Sequence, residues 1–95
     1  ETQWELLKAI DQTSSLKTAV EIVGISYRKA WGDLKHTEAS LGYPLTEKFR
    51  GGKNGGKTIL TEKAQKLLEA YSAMQIQFDE SIEKAFKEFQ KKLSN

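Results

Sequence analysis

Residues 24–31 read GISYRKAW, and this stretch decides the fold. Gly24 predicts the end of one helix, because glycine readily adopts the left-handed conformation that closes many helices. Ser26 predicts the start of the next helix, because its hydroxyl can accept a hydrogen bond from a free N–H of the first turn. Two helices joined by so short a turn are typical of a helix-turn-helix motif.

The two helices around that turn differ in character. We expect the first to cover residues 16–23 with an apolar inner face, and the second to run from Tyr27 to about Glu38. The second helix has an apolar stripe of Tyr27, Ala30, Trp31 and Leu34, and an opposite face of Arg28, Lys29, Gly32, Lys35 and His36. We predict that the stripe, including Trp31, packs in the core. Tyr27 has two possible roles, because its ring fits the core and its hydroxyl can also donate a hydrogen bond to a DNA phosphate. The basic face is then left to lie in a DNA major groove, which makes this the recognition helix.

A glycine-rich turn lies further along the chain, between two short runs that favour strands. Over residues 45–50 a period of two sets Leu45, Glu47 and Phe49 on one side and Thr46, Lys48 and Arg50 on the other, and residues 58–60 form a second short apolar run. We therefore predict a β-hairpin, the wing of a winged helix. Arg50, Lys53 and Lys57 would bring charge to a phosphate backbone or a minor groove. The alternative is a surface turn that merely contains lysines.

Residues 51–58, GGKNGGKT, also match the P-loop pattern of nucleotide-binding proteins. That pattern requires a buried strand before the loop and a helix that begins at the Lys-Thr pair. Residues 46–50 are too polar for such a strand, and residues 59–61 predict a strand followed by a new helix cap. No paired acids or nucleophile–base set stands out either, so we do not expect an enzyme.

The last predicted helix runs from Thr61 to about Leu93 without glycine or proline. Its apolar residues recur every three or four positions, and a length of about 48 Å exceeds what so small a domain can cover. An uncovered aromatic stripe predicts a two-fold homodimer; the alternative is a break near Asp79 and a helix that folds back. A further helix is predicted from about Thr2 to Asp11. The expected dimer contacts on the long helix are Tyr71, Phe78, Ile82, Phe86 and Phe89.

Composition narrows the class of protein. The 95 residues carry a net charge of +2, but residues 26–57 hold seven Lys and Arg against three Asp and Glu. A localised positive surplus favours a polyanionic partner such as double-stranded DNA. Because the chain has no cysteine and only one histidine, we expect no disulfide and no metal site. Because it has no long apolar run, we expect a cytoplasmic protein that does not enter a membrane.

Three motifs in collinear order resemble one known family. They are GISYRKAW at 24–31, GGKNGG at 51–56, and Leu60-Thr61 at the start of a long helix. Together they resemble the N-terminal domain of the molybdate-responsive (ModE-type) transcriptional regulators, a winged helix related to that of LysR-type regulators. The resemblance implies a dimer that binds palindromic operator DNA. It also implies that the dimer forms through the long helix, aided by the first helix, which adds Trp4 and Leu7 to the expected dimer contacts. It also implies recognition-helix contacts by Ser26, Tyr27, Arg28 and Lys29, and wing contacts by Arg50, Lys53 and Asn54.

The sequence therefore predicts a mainly α winged helix-turn-helix with a small β-hairpin and a long C-terminal dimerisation helix. Residues 1–60 would form the DNA-binding domain, with the helix-turn-helix at 15–38 and the wing at 44–60, and residues 61–95 the helix of the same domain. We expect DNA contacts from Lys35 and Lys57 as well. No cofactor is expected, because no residues here predict the molybdate or tungstate sensor of that family. The alternative function is a protein-interaction module whose basic face binds an acidic partner.

Overall fold

The computed structural model describes residues 2–50 and 56–94. Within them lie α1 (Thr2–Thr13), α2 (Leu16–Val23), α3 (Tyr27–Leu41), β1 (Thr46–Phe49), β2 (Lys57–Leu60) and α4 (Glu62–Ser94). The two strands form one antiparallel sheet, in which Thr46 faces Leu60 and Phe49 faces Lys57. The architecture is a mainly α winged helix with a long C-terminal helix, which confirms the predicted fold class.

Caps set the ends of the helix-turn-helix as the sequence predicts. The Ser26 hydroxyl accepts a hydrogen bond from the Lys29 N–H at 3.0 Å, and Gly24 ends α2 with φ of 83°. The left-handed residue that ends α3 is Gly42, also at 83°. For this reason α3 continues to Leu41, beyond the predicted end near Glu38.

The core lies where the three short helices meet the start of the sheet and of α4. Leu6 and Ile10 of α1 and Leu45, just before β1, are almost fully buried. The other buried apolar residues are Leu7, Ala9, Leu16, Ala19, Val20, Ala30, Leu34, Leu60, Ala64 and Leu68. Every element except β1 therefore contributes to one hydrophobic core, on which α3 is held in place.

The hairpin is tied to the rest of the domain by backbone hydrogen bonds. The Thr58 N–H donates to the Ser14 carbonyl at 3.0 Å, and the Thr61 N–H donates to the Leu45 carbonyl at 2.9 Å. A Cβ added to Gly56 would collide with the Phe49 carbonyl oxygen, so the close approach of the strands requires glycine there. Lys57 and Thr58 begin a strand, whereas a P-loop requires a helix that begins at this Lys-Thr pair.

The long helix α4 is continuous, so the alternative of a break near Asp79 is wrong. Its first turn is capped by the Thr61 hydroxyl, which accepts from the Ala64 N–H at 3.1 Å and donates to the Pro44 carbonyl at 2.9 Å. Only its first turns pack on the domain. All described residues from Ala73 to Ser94 are exposed, so about 33 Å of helix projects from the core.

Candidate nucleic-acid interface

The recognition helix α3 has one buried face and one exposed basic face. Ala30 and Leu34, one turn apart, face the core at 0% and 7% exposure. Arg28, Lys29 and Lys35 are exposed on the other side. The turn at Gly24 and the Ser26 cap thus direct a row of cations outward from the helix-turn-helix.

Trp31 lies at the edge of the buried face and keeps 45% of its surface exposed, so the prediction that it packs in the core is wrong. Successive helical residues are about 100° apart, and the contact centred on Ala30 and Leu34 is too narrow to cover the next position. Tyr27, one turn earlier, is similarly exposed at 48%. The Lys35 ammonium lies 5.6 Å from the centre of the Trp31 ring, in the range of a cation–π contact.

The cations of α3 differ in how they are paired. The Lys29 ammonium lies 3.2 Å from the Asp33 carboxylate, and Lys35 lies 3.2 Å from Glu38. Among the described residues, Arg28 takes part in no ion pair. Its guanidinium is therefore available to a partner without breaking an existing contact.

Glu38 anchors the recognition helix to the start of the sheet. Its side chain is only 13% exposed, and its carboxylate accepts a hydrogen bond from the Leu45 N–H at 2.7 Å. Burial alone would raise the pKa of Glu38, but the Leu45 N–H and the Lys35 ammonium outweigh it and hold that pKa below its ordinary value. Glu38 was not among the functional residues predicted from the sequence. The available signal was its position one turn after Leu34, in line with the buried stripe.

The base of the wing carries two of the predicted contacts. Arg50 directly follows β1 and Lys57 begins β2, and both are exposed. Lys53 and Asn54, the contacts predicted at the tip, lie outside the described residues. With Lys48 of β1, which is also exposed, the described part of the hairpin thus adds three exposed cations to those of α3.

A second surface, the α4 stripe, consists of exposed apolar residues on one side of the free part of the long helix. Phe78 is 61% exposed, Ile82 54%, Phe86 57% and Phe89 57%. The stripe continues at both ends with the same spacing. Tyr71 lies eleven residues before Ile82, and Leu93 lies eleven residues after it. Eleven residues correspond to about three helical turns, so these positions share one face along the entire projection.

The base of this stripe is partly covered by the protein's own first helix. The rings of Trp4 and Tyr71 stack with centroids 4.0 Å apart and an angle of 9° between their planes. A groove of about 330 Å³ opens beside this stack, between α1 and α4. Leu7, predicted as a dimer contact, is only 4% exposed. It therefore packs in the core of its own protomer and is not available to a partner.

Two further kinds of feature are absent from the described residues. Residues 2–50 and 56–94 contain no group of three or more potential metal ligands of the His, Cys, Asp and Glu type. In the same residues, no helix is both long and apolar enough to cross a membrane.

Comparison with known proteins finds relatives over most of this chain. It is 40% identical over 70 residues to the transcriptional regulator ModE of Haemophilus influenzae, matching 74% of this chain and 28% of that protein. It is 35% identical over 89 residues to the molybdenum-pterin-binding protein MopB of Rhodobacter capsulatus, matching 94% of this chain and 32% of MopB. It is 35% identical over 69 residues to the DNA-binding transcriptional dual regulator ModE of Escherichia coli K12, matching 73% of this chain and 26% of that protein. The chain thus spans about a quarter to a third of the length of these relatives, and no family model matches it.

Proposed function

This chain is a homologue of the ModE-type regulators over most of its own length, and on that basis we propose that it is a sequence-specific DNA-binding transcriptional regulator. It acts as a dimer on a pseudo-palindromic operator. The observation that carries the proposal is the exposed basic face of α3, the second helix of a helix-turn-helix whose opposite face is fixed in the core. An α-helix with one such free face fits the major groove of B-DNA.

The proposed DNA contacts divide into two groups. The first is Arg28, which has no ion partner among the described residues and which we propose donates two hydrogen bonds to a guanine edge. Ser26, Tyr27, Lys29 and Lys35 lie around it on the same helix, and Arg50 and Lys57 approach the neighbouring backbone from the wing. Lys53 and Asn54 belong to the same proposed wing contact. The second group comprises all of these residues other than Arg28. Its contacts are to phosphates, which position the protein on the DNA without reading the base sequence.

The proposed dimer forms through the α4 stripe. Three of its residues, Phe78, Phe86 and Phe89, expose more than half of their surface on one side of a projecting helix. A second copy of the chain offers the same stripe, and a two-fold arrangement lets the two stripes cover each other. The groove beside Trp4 and Tyr71 continues this apolar surface towards the domain. The dimer then presents two recognition helices to two half-sites.

The link to molybdate-related gene control rests on the relatives. One of them is named for molybdenum-pterin binding and another, from Azotobacter vinelandii, for molybdenum transport. We therefore place the regulated genes in molybdenum metabolism. No part of this proposal assigns an effector-binding site to the described residues.

The test is binding to duplex DNA selected by the wild-type protein from a random library, measured at several salt concentrations. We expect Arg28→Ala to weaken binding to the selected duplex by about 10- to 100-fold, as for loss of a base contact, with a smaller effect on random duplex. Lys57→Ala should weaken both duplexes and lower the salt slope by about 1 per protomer. Lys91→Ala, which removes the same charge near the end of α4, is the matched control.

Two results would contradict the proposal. If the wild-type protein enriches no duplex and its binding is independent of salt, the basic face serves another partner, and an acidic protein becomes the better candidate. If Arg28→Ala weakens binding no more than Lys91→Ala does, on both the selected and the random duplex, α3 does not read bases.

A further inference from the structure

Gly32 is the feature of the recognition helix that the fold does not require. It lies within α3 in ordinary helical conformation, is exposed, and a Cβ added there would meet no atom within 4 Å. Glycine inside a helix is less favourable than alanine, because it gives up more conformational freedom on folding. Neither backbone geometry nor packing within the chain therefore accounts for a glycine at this position.

The surroundings of Gly32 turn the missing side chain into a notch. On a helix surface, the neighbours of a residue are those three and four positions away. For Gly32 these are Arg28, Lys29, Lys35 and His36, all with long or bulky side chains and all exposed. We call the depression with Gly32 as its floor and these four residues as its rim the Gly32 notch. It lies on the side of α3 opposite Ala30 and Leu34, at the centre of the proposed DNA-binding face.

The two long walls of the Gly32 notch are held away from its floor. On one side Lys29 is paired with Asp33 at 3.2 Å. On the other, Lys35 is paired with Glu38 at 3.2 Å while its ammonium lies 5.6 Å from the centre of the Trp31 ring. The lysine chains that could otherwise fold over Gly32 therefore already have partners to either side, and the notch stays open.

The chemistry of the floor selects what enters it. The backbone N–H and C=O of a residue inside a helix are already hydrogen-bonded along the helix, so the free surface of Gly32 is its Cα with two hydrogens. The major groove displays hydrogen-bond donors and acceptors, which need polar partners, and one apolar group, the 5-methyl group of thymine. Only that methyl group matches an apolar floor.

We propose that the Gly32 notch receives the 5-methyl group of a thymine in each half-site, so that Gly32 determines specificity at that base pair. This inference rests on the proposed function, since it requires α3 to lie in the major groove. A side chain at position 32 would hold the helix away from the methyl group. A substitution of Gly32 that makes the helix more stable should therefore weaken DNA binding.

The test compares wild type with Gly32→Ala on the duplex that the wild type selects. Each thymine of that duplex is replaced in turn by deoxyuridine, which removes only the methyl group. Burial of one methyl group corresponds to about a fourfold change in binding constant, so the wild type should lose about fourfold per half-site at one thymine. Gly32→Ala should bind the unmodified duplex more weakly and show no loss at that thymine. Its melting temperature should nevertheless rise by about 5 °C.

Ser40→Ala is the matched control, because it adds helix propensity on the exposed surface of α3 without filling the notch. It should raise the melting temperature and leave both affinity and thymine sensitivity unchanged. The inference is overturned if the wild type is insensitive to every deoxyuridine replacement, or if Gly32→Ala keeps the wild-type sensitivity. If the wild type selects no duplex at all, the proposed function fails first, which separates the two failures.

Discussion

Replacing Phe78 by alanine tests the α4 stripe as a dimer interface. Phe78 is 61% exposed in the single chain. A phenylalanine side chain buries roughly 150–250 Å² when fully covered, so about 120 Å² is left for a partner. At about 25 cal/mol per Å², complete coverage would contribute about 3 kcal/mol per protomer, or about 6 kcal/mol per two-fold dimer. If the dimer covers half of that area, Phe78→Ala costs about 3 kcal/mol and raises the dimer Kd by about 150-fold.

The assay is sedimentation equilibrium over a range of protein concentrations, with helix content followed by circular dichroism. Gln77→Ala is the control, because Gln77 is exposed and uncharged but lies about 100° around α4 from Phe78, away from the stripe and from the groove beside Trp4. Both changes introduce alanine, the best helix former, so neither should melt the helix. Phe78→Ala should shift the protein towards monomer while Gln77→Ala does not. Equal effects of the two variants, or no change in either, would refute a dimer built on this stripe.

Two further predictions concern the elements that hold the recognition helix and the wing in place. Glu38→Gln should lower the free energy of unfolding by about 1–2 kcal/mol at pH 7, because the Leu45 N–H loses a charged acceptor. Since the folded-state pKa of Glu38 is lowered, its contribution is present above the unfolded-state value near 4.5 and is lost as the pH falls through the folded-state value. In urea unfolding from pH 7 to pH 3, the gap between wild type and variant should therefore narrow only below about pH 4.5; a gap independent of pH would argue against this role. Gly56→Ala should disrupt the hairpin, because the new Cβ meets the Phe49 carbonyl oxygen; unchanged hydrogen-exchange protection at Thr58 and Ile59 would contradict it.

Local signals were enough to predict most of this fold. The N-cap at Ser26 and the left-handed Gly24 act within a few residues, so the boundaries between α2 and α3 are encoded where they occur. The change from helical to alternating periodicity near Leu45 and the glycine-rich segment likewise predicted a hairpin. The exposed basic face of α3 followed from the same helical spacing.

What sequence reasoning missed depends on how elements meet in space. Helical spacing grouped Trp31 with Ala30 and Leu34, but it does not reveal how wide a strip of α3 the neighbouring elements cover. Leu7 was predicted as a dimer contact from the family resemblance, whereas it packs in the core of its own chain. The hydrogen bond from the Leu45 N–H to Glu38 links residues seven positions apart across a turn, and no local pattern specifies such a pairing.

The contacts at residues 44 and 45 connect α3, the proposed recognition helix, to α4, the proposed dimerisation helix. The last turns of α3 are fixed to the Leu45 N–H through Glu38. The start of α4 is fixed to the same two residues, since the Thr61 hydroxyl donates to the Pro44 carbonyl and the Thr61 N–H to the Leu45 carbonyl. These hydrogen bonds connect α3 to the start of α4, and α4 itself is unbroken. In a dimer formed through α4, the distance between the two recognition helices is consequently set by the fold, and this requires half-sites at one fixed spacing.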